Sequence, residues 1–221
     1  AGAIPEVEKL LTDSSATVQK YAKRALERLG PFKLDPKKPA PEGVADAQKP
    51  EPSKPTPDEV IDAIKKLKGK VTVDKNKAVV KVEFQWSIAI DAGLEHLKGL
   101  TNLKILTLPG NTTDAGLVHL KGLTNLQNLN LKETRVTDVG LGHLKGLTNL
   151  KTLVLPENIT DVGLGHLKGM TGLKELNLVV TKVTDAGLAY LKGLTKLTSL
   201  HAGYMITDAG LEHLRGLTKL E

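Results

Sequence analysis

The stretch Asp114–Leu131, DAGLVHLKGLTNLQNLNL, returns with small changes along the second half of the chain. Further copies begin at Asp91, Asp138, Asp161 and Asp185, and a first half begins at Asp208. The steps between successive aspartates are 23, 24, 23, 24 and 23 residues. A period in the twenties with leucines at fixed offsets predicts repeats that stack, because one such unit cannot bury its apolar face alone.

Each repeat is predicted to hold one strand and one short helix. Leu126, Leu129 and Leu131 point to one side of an extended segment. Thr137 and Asp138 are then expected to cap the N-terminus of a helix, where a hydroxyl and a carboxylate both suit the first turn. The pattern predicts a right-handed α/β leucine-rich repeat solenoid, with a parallel sheet on its concave face and short helices on its convex face.

A degenerate repeat precedes Asp91. Val79, Val82 and Phe84 have the spacing of the core leucines in later repeats, so the sheet is expected to begin near Val79. The later strands are expected at Leu103–Leu108, Leu126–Leu131, Leu150–Leu155, Leu173–Leu178 and Leu197–Ala202, with a partial strand from Leu220. Pro109 and Pro156 cannot donate to a strand ladder, and are expected to end their strands early.

Residues 58–90 are predicted to cap the N-terminal end of the solenoid formed by residues 91–221. Thr56 and Glu59 have the spacing of a capping box around Pro57, so a helix is expected to open here. A β-hairpin with a turn at 74–77 follows. Helix and hairpin together are expected to cover the first repeat, whose apolar surface would otherwise face water.

The first 57 residues are of a different kind. Residues 1–30 read as a separate helical hairpin, and its pattern from Asp13 through Ala25-Leu26 to Gly30 resembles a HEAT repeat. That resemblance implies either further repeats before Ala1 or packing on another surface. Residues 31–57 are rich in proline, lysine and glutamate, and are predicted to form a semi-rigid linker.

The repeated Thr-Asp-Ala-Gly-Leu, followed by His or Tyr and then Leu-Lys-Gly-Leu-Thr, resembles a bacterial leucine-rich repeat family of planctomycete-like proteins. It is also similar to the cysteine-containing class found in F-box proteins. Asn111, Thr134 and Thr181 stand where that class has its cysteine. The resemblance covers about 130 residues and implies a scaffold for protein interaction. It brings no catalytic residues with it.

Composition narrows the possible functions. The chain has no cysteine, which excludes disulfides and thiolate metal sites and suits either the cytoplasm or the periplasm. Its net charge of +6 reads as spread along the chain. Without a dense basic stripe or interleaved aromatic residues, no nucleic acid partner is predicted. No apolar run reaches the roughly 20 residues of a membrane span.

Two polar residues recur once in every repeat. Histidine occupies one position, with tyrosine as one member of the row: His96, His119, His143, His166, Tyr190 and His213. Neighbouring helices should separate these imidazoles by ~8–10 Å, too far apart to share zinc, so they are interpreted as boundary residues. The recurring aspartates are interpreted as helix caps. No catalytic, cofactor-binding or metal-binding residue is predicted.

Recognition is expected on the concave face and its rim, through a non-enzymatic contact with another protein or peptide. The residues predicted to form this surface are Ile105, Thr107, Asn128, Asn130, Thr152, Val154, Glu175, Asn177, Ser199 and His201, with Trp86, Gly110, Glu133, Glu157, Val180 and Tyr204 on the rim. Packing under the N-terminal cap is the alternative for Trp86. The alternative function is a structural or assembly module, or part of a larger protein whose activity lies elsewhere. A monomer is expected, with end-to-end contact through residues 217–221 as the other possibility.

Overall fold

The computed structural model describes residues 55–84 and 91–221, which fall in one compact unit. Its strands are β1 (Gly69–Val73), β2 (Val79–Phe84), β3 (Ile105–Thr107), β4 (Asn128–Asn130), β5 (Thr152–Val154), β6 (Glu175–Asn177) and β7 (Ser199–His201). Its α-helices are α1 (Pro57–Lys66), α2 (Asp114–Leu117), α3 (Asp138–Leu141), α4 (Asp161–Leu164), α5 (Asp185–Leu188) and α6 (Asp208–Leu211). The predicted HEAT-like hairpin, most of the linker, and Trp86 lie outside the described residues.

Helix α1 begins where the capping box predicts. The Thr56 hydroxyl accepts from the Glu59 N–H at 3.3 Å, and the Glu59 carboxylate accepts from the Thr56 N–H at 2.8 Å. Val60 and Ile64 on one face of α1 are buried. Thr56 and Pro57, counted within the predicted linker, are therefore the N-cap and first turn of this helix.

The seven strands form one sheet in chain order from β1 to β7. β1 and β2 pair antiparallel as a hairpin, and every later pair is parallel. Val82 of β2 pairs with Leu106 of β3, which confirms that β2 is a degenerate repeat in register with the others.

The central leucines of the strands share one dry interior. Leu106, Leu129, Leu153 and Leu176 are 0%, 2%, 0% and 0% exposed, and all belong to a single apolar core. Each pairs with the next across the sheet, so one leucine column runs through the stack. The α/β leucine-rich repeat solenoid predicted from the period is the fold of these residues.

The regular elements within each repeat are shorter than predicted. Strands β3 to β7 have three residues each, not the six expected, because the chain turns at both ends of the sheet segment. The Thr134 N–H, for example, bonds to the Leu131 carbonyl immediately after β4. β4 and β6 end at the same register as β3 and β5, so Pro109 and Pro156 are not what ends their strands. Each convex segment after β3 is one α-helical turn followed by a short 3-10 turn.

The recurring aspartates do not cap their own helices, contrary to the sequence interpretation. The N-cap of each short α-helix is the preceding threonine, and in α4 the Thr160 hydroxyl accepts from the Val162 N–H at 3.3 Å. The carboxylate instead reaches the next repeat, where Asp138 accepts from both the N–H and the hydroxyl of Thr160, at 2.9 and 2.6 Å. The aspartates are thus structural residues that join one repeat to the next.

Candidate binding surface on the concave face

The parallel register gathers the predicted concave residues into two rows across the sheet. The first row is Ile105, Asn128, Thr152, Glu175 and Ser199. The second row is Thr107, Asn130, Val154, Asn177 and His201. Each row takes the residue on the same side of the buried central leucine, so all ten side chains share one face of the sheet.

Side chains within these rows touch one another. The Thr152 hydroxyl donates to the Glu175 carboxylate at 3.2 Å, linking two neighbouring strands. Ser199 Oγ lies 3.4 Å from His201 Nε2 along β7. Ile105, Glu175 and His201 are exposed, and the other members of the rows are half-buried. The surface is therefore a mixed polar and apolar face open to a ligand.

Two members of the second row also have a structural role. The Asn130 side chain accepts from the Lys132 N–H at 2.9 Å, and Asn177 accepts from the Val179 N–H at 3.0 Å. Each amide oxygen thus holds the turn that follows its strand. Val154 in the same row has no such bond, so a substitution of Val154 tests the surface with a smaller effect on the stability of the fold.

The concave surface also includes two residues of β2 that were not predicted. Lys81 pairs with Ile105 and Glu83 pairs with Thr107, so both rows extend onto β2. Their side chains form an ion pair at 3.0 Å. The alignment of Val82 with the core leucines already implied these neighbours, because residues flanking a buried position lie on the opposite face.

The rim beside the concave face follows the carboxyl ends of the strands. Glu133 and Glu157 are exposed there, and Glu133 has a left-handed backbone with φ 66°. Tyr204 is 77% exposed. Four exposed apolar residues in the turns after β6 and β7 form the apolar rim cluster: Val179, Val180, Tyr204 and Met205. Val179 and Met205 were not predicted.

The convex face offers no metal site among the residues that the structure describes. No group of three or more histidine, aspartate and glutamate side chains there could hold an ion. The histidine row is half-buried beside the core leucines, and the buried Nδ1 of His119 has no hydrogen-bond partner. The imidazole row therefore lies between the apolar core and the surface.

A groove of about 950 Å³ lies at the N-terminal cap, between α1, the β1–β2 turn and the loop before β3. Val60, Ile61 and Leu100 contribute apolar wall, and Asp58 and Lys98 also line the groove.

No helix within 55–84 or 91–221 is long and apolar enough to cross a bilayer.

Comparison with known proteins supports the fold. Residues 124–183 match the leucine-rich repeat family model. The crystal structure of internalin C2 from Listeria monocytogenes is 26% identical, with a TM-score of 0.51 over 73% of this chain and 80% of that one. A second Listeria monocytogenes internalin, inlF, is 26% identical with a TM-score of 0.47 over 74% of this chain and 53% of that one. No curated protein gives a significant match.

The leucine-rich repeat assignment is thus confirmed, while the planctomycete-like origin and the HEAT-like hairpin stay predictions. The leucine-rich repeats and the likeness to internalin C2 suggest a scaffold for protein–protein interaction.

Proposed function

We propose that this chain is a non-enzymatic protein-binding module whose concave face and rim contact a partner protein or peptide. The repeat family and the internalin-like fold support the interaction role. The proposed surface comprises the two concave rows with Lys81 and Glu83, and the apolar rim cluster beside β6 and β7.

The observation that carries this proposal is the exposure of the rim cluster. Val179, Val180, Tyr204 and Met205 are 47%, 40%, 77% and 41% exposed. In the turns after β3, β4 and β5, the positions equivalent to Val180 and Tyr204 are Gly110, Glu133 and Glu157. Contiguous apolar side chains with a polar surround mark interaction sites on soluble domains.

Tyr204 is the expected anchor of the contact. A tyrosine supplies a large rigid contact area together with one polar group, and aromatic residues are enriched among binding hot spots. Val180 holds the equivalent position in the turn after the neighbouring strand, β6. A partner would therefore be expected to place an apolar side chain over this pair and polar groups along Thr152 and Glu175.

The test compares two double variants that each introduce one aspartate and one alanine. Val180→Asp with Tyr204→Ala alters the rim, whereas Val139→Asp with Val162→Ala alters two convex valines that are 71% and 67% exposed. Quantitative affinity capture from source cells should enrich a protein with the wild type and the convex variant, and lose it with the rim variant. The purified partner is then titrated against all three forms by calorimetry.

Equal binding by the rim variant and the wild type, with unchanged circular dichroism, would contradict the assignment of this surface. Loss of binding in the convex variant alone would place the contact on the other side of the solenoid. A Val154→Lys variant gives an independent check on the concave rows, since Val154 holds no turn.

Asp208 differs from the five preceding aspartates of its row, because its carboxylate has no hydrogen bond within the described residues. It therefore offers a matched control for substitutions in that row.

A further inference from the structure

The positive charge of the repeats is collected on one edge of the solenoid. Residues 91–221 contain 14 lysines and arginines and 12 aspartates and glutamates, which look evenly mixed along the chain. The six segments that lead from convex helix to concave strand are 97–104, 120–127, 144–151, 167–174, 191–198 and 214–221. They hold 11 of the basic residues and one acidic residue, Glu221, so this helix-to-strand edge is strongly basic.

Stacking brings these segments side by side. The Lys174 N–H donates to the Lys151 carbonyl at 2.8 Å, and the Lys151 N–H donates to the Gln127 carbonyl at 2.7 Å. Asn149 Nδ2 donates to the Thr124 carbonyl at 2.8 Å in the same loops. The backbones of neighbouring segments are therefore separated by between about 5 Å, the spacing of paired strands, and about 10 Å, the spacing of packed helices.

The cations form two rows along this edge. The row next to the helices has one member per repeat: Lys98, Lys121, Lys145, Lys168, Lys192 and Arg215. The row next to the strands is less regular: Lys104, Lys151, Lys174, Lys196 and Lys219. All eleven residues are exposed. The net charge that reads as spread in the sequence is thus ordered by the fold.

Almost none of this charge is neutralised within the described residues. Arg215 is the one member of the two rows that forms an ion pair there, with Glu212 at 2.6 Å. Lys151 Nζ donates to the Gln127 side chain at 3.0 Å, and Lys168 Nζ lies 4.7 Å from the Tyr190 ring centre, and neither contact removes charge. Like charges this close repel one another, so an anionic ligand would relieve the repulsion.

Hydroxyl groups accompany the cations. Each helix-to-strand segment contains one exposed threonine whose hydroxyl makes no hydrogen bond within the chain as described: Thr101, Thr124, Thr148, Thr171, Thr195 and Thr218. Glycine, which has no side chain, follows every lysine or arginine of the first row, so no side chain of the next residue covers these cations. The edge also lacks exposed apolar or aromatic side chains that could stack on bases or enter a bilayer.

We propose that the helix-to-strand edge binds an anionic polysaccharide, lying along the stack and crossing successive repeats. Its sulfate, phosphate or carboxylate groups would pair with the two cation rows, and its sugar hydroxyls would bond to the threonine hydroxyls. This surface is the edge opposite the rim, so a polysaccharide and a protein partner could be bound together. The inference is independent of the proposed protein-binding face.

The experiment measures binding of dextran sulfate to the full chain by calorimetry, with uncharged dextran as the ligand control. Lys121→Glu, Lys145→Glu and Lys192→Glu are combined in the edge variant, since none of these lysines forms an ion pair or a side-chain hydrogen bond within residues 55–84 and 91–221. The matched control combines Lys132→Glu, Arg135→Glu and Lys182→Glu, which lie outside the six segments and change the net charge equally. Circular dichroism and melting temperature establish that each variant folds.

The expected result is dextran sulfate binding that weakens roughly tenfold or more in the edge variant and with rising salt, because several ion contacts are lost together. Binding in the control variant should stay within about twofold of the wild type, since its changes lie away from the rows. Equal loss in both variants, absence of wild-type binding, or equal affinity for uncharged dextran would overturn the proposal. Tighter binding of duplex DNA, polyphosphate or phosphatidylglycerol vesicles at equal charge concentration would overturn the polysaccharide assignment.

Discussion

Asp161 of one repeat accepts hydrogen bonds from Thr184 of the next repeat with both carboxylate oxygens. Oδ1 accepts from the Thr184 N–H at 2.8 Å and Oδ2 accepts from its hydroxyl at 2.7 Å. A Cβ on Gly187, three residues on, would collide with the same carboxylate and lie 2.9 Å from Val183 Cγ1. Threonine, aspartate and glycine of the repeated motif therefore act as one interlock between repeats.

Asp161→Ala should destabilise the fold by ~2–3 kcal/mol, because hydrogen bonds to a charged group are lost and the Thr184 N–H is left without its acceptor. Asp208→Ala is the matched control at the same motif position, and it should change stability by no more than about 0.5 kcal/mol. Urea unfolding monitored by circular dichroism measures both. Equal destabilisation by the two substitutions would contradict the interlock.

Gly163→Ala should destabilise the chain by roughly 2 kcal/mol or more, since the added methyl would meet the Asp138 carboxylate and lie 2.9 Å from Ile159 Cγ2. Gly165→Ala, two residues later, meets nothing within 4 Å and should be neutral or stabilising by about 0.5 kcal/mol. Thermal melts of the two variants provide the comparison. If both lowered the melting temperature alike, the close approach would not be the cause.

Thr112→Val should stabilise the protein by ~1 kcal/mol, because the buried Thr112 hydroxyl has no hydrogen-bond partner. The chain itself carries Val136, Ile159 and Val183 at the equivalent buried position. Thr134→Val is the control, since the Thr134 hydroxyl donates to the Leu131 carbonyl at 2.7 Å. Chemical denaturation should show a gain for the first variant and none for the second.

The pKa of the Asp185 carboxyl is lowered, which predicts that the stability of the fold depends on pH. The Thr207 hydroxyl lowers its pKa most, followed by the Thr207 N–H, with smaller contributions from the Gly210 N–H and the His213 charge. A lowered folded-state pKa stabilises the fold above the pKa of the unfolded chain, and this is lost as the pH falls through the folded-state pKa.

The difference in melting temperature between wild type and Asp185→Asn should therefore be largest near neutral pH and shrink towards zero in acid. Scanning calorimetry between pH 2 and pH 7, at fixed ionic strength, measures it. A difference that is constant across that range would show that the carboxylate charge contributes nothing.

The fold and the register of the repeats can be worked out from the order of the amino acids alone. Leucines at fixed offsets specify which residues are equivalent, and burying them together leaves one way to stack, so Val82 could be aligned with Leu106 before any coordinates. The two concave rows follow from the alternation of a strand. These features depend on periodicity, which a linear sequence carries in full.

The contacts between repeats, in contrast, depend on three-dimensional packing. A carboxylate that could cap its own helix instead bonds a threonine 22 or 23 residues away, as Asp138 does with Thr160. Stacking places Val180 and Tyr204 in equivalent turns of neighbouring repeats. It also collects lysines that acidic residues separate in the chain into one basic edge. Distances across the stack depend on how loops of unequal length pack, and local spacing does not encode that packing.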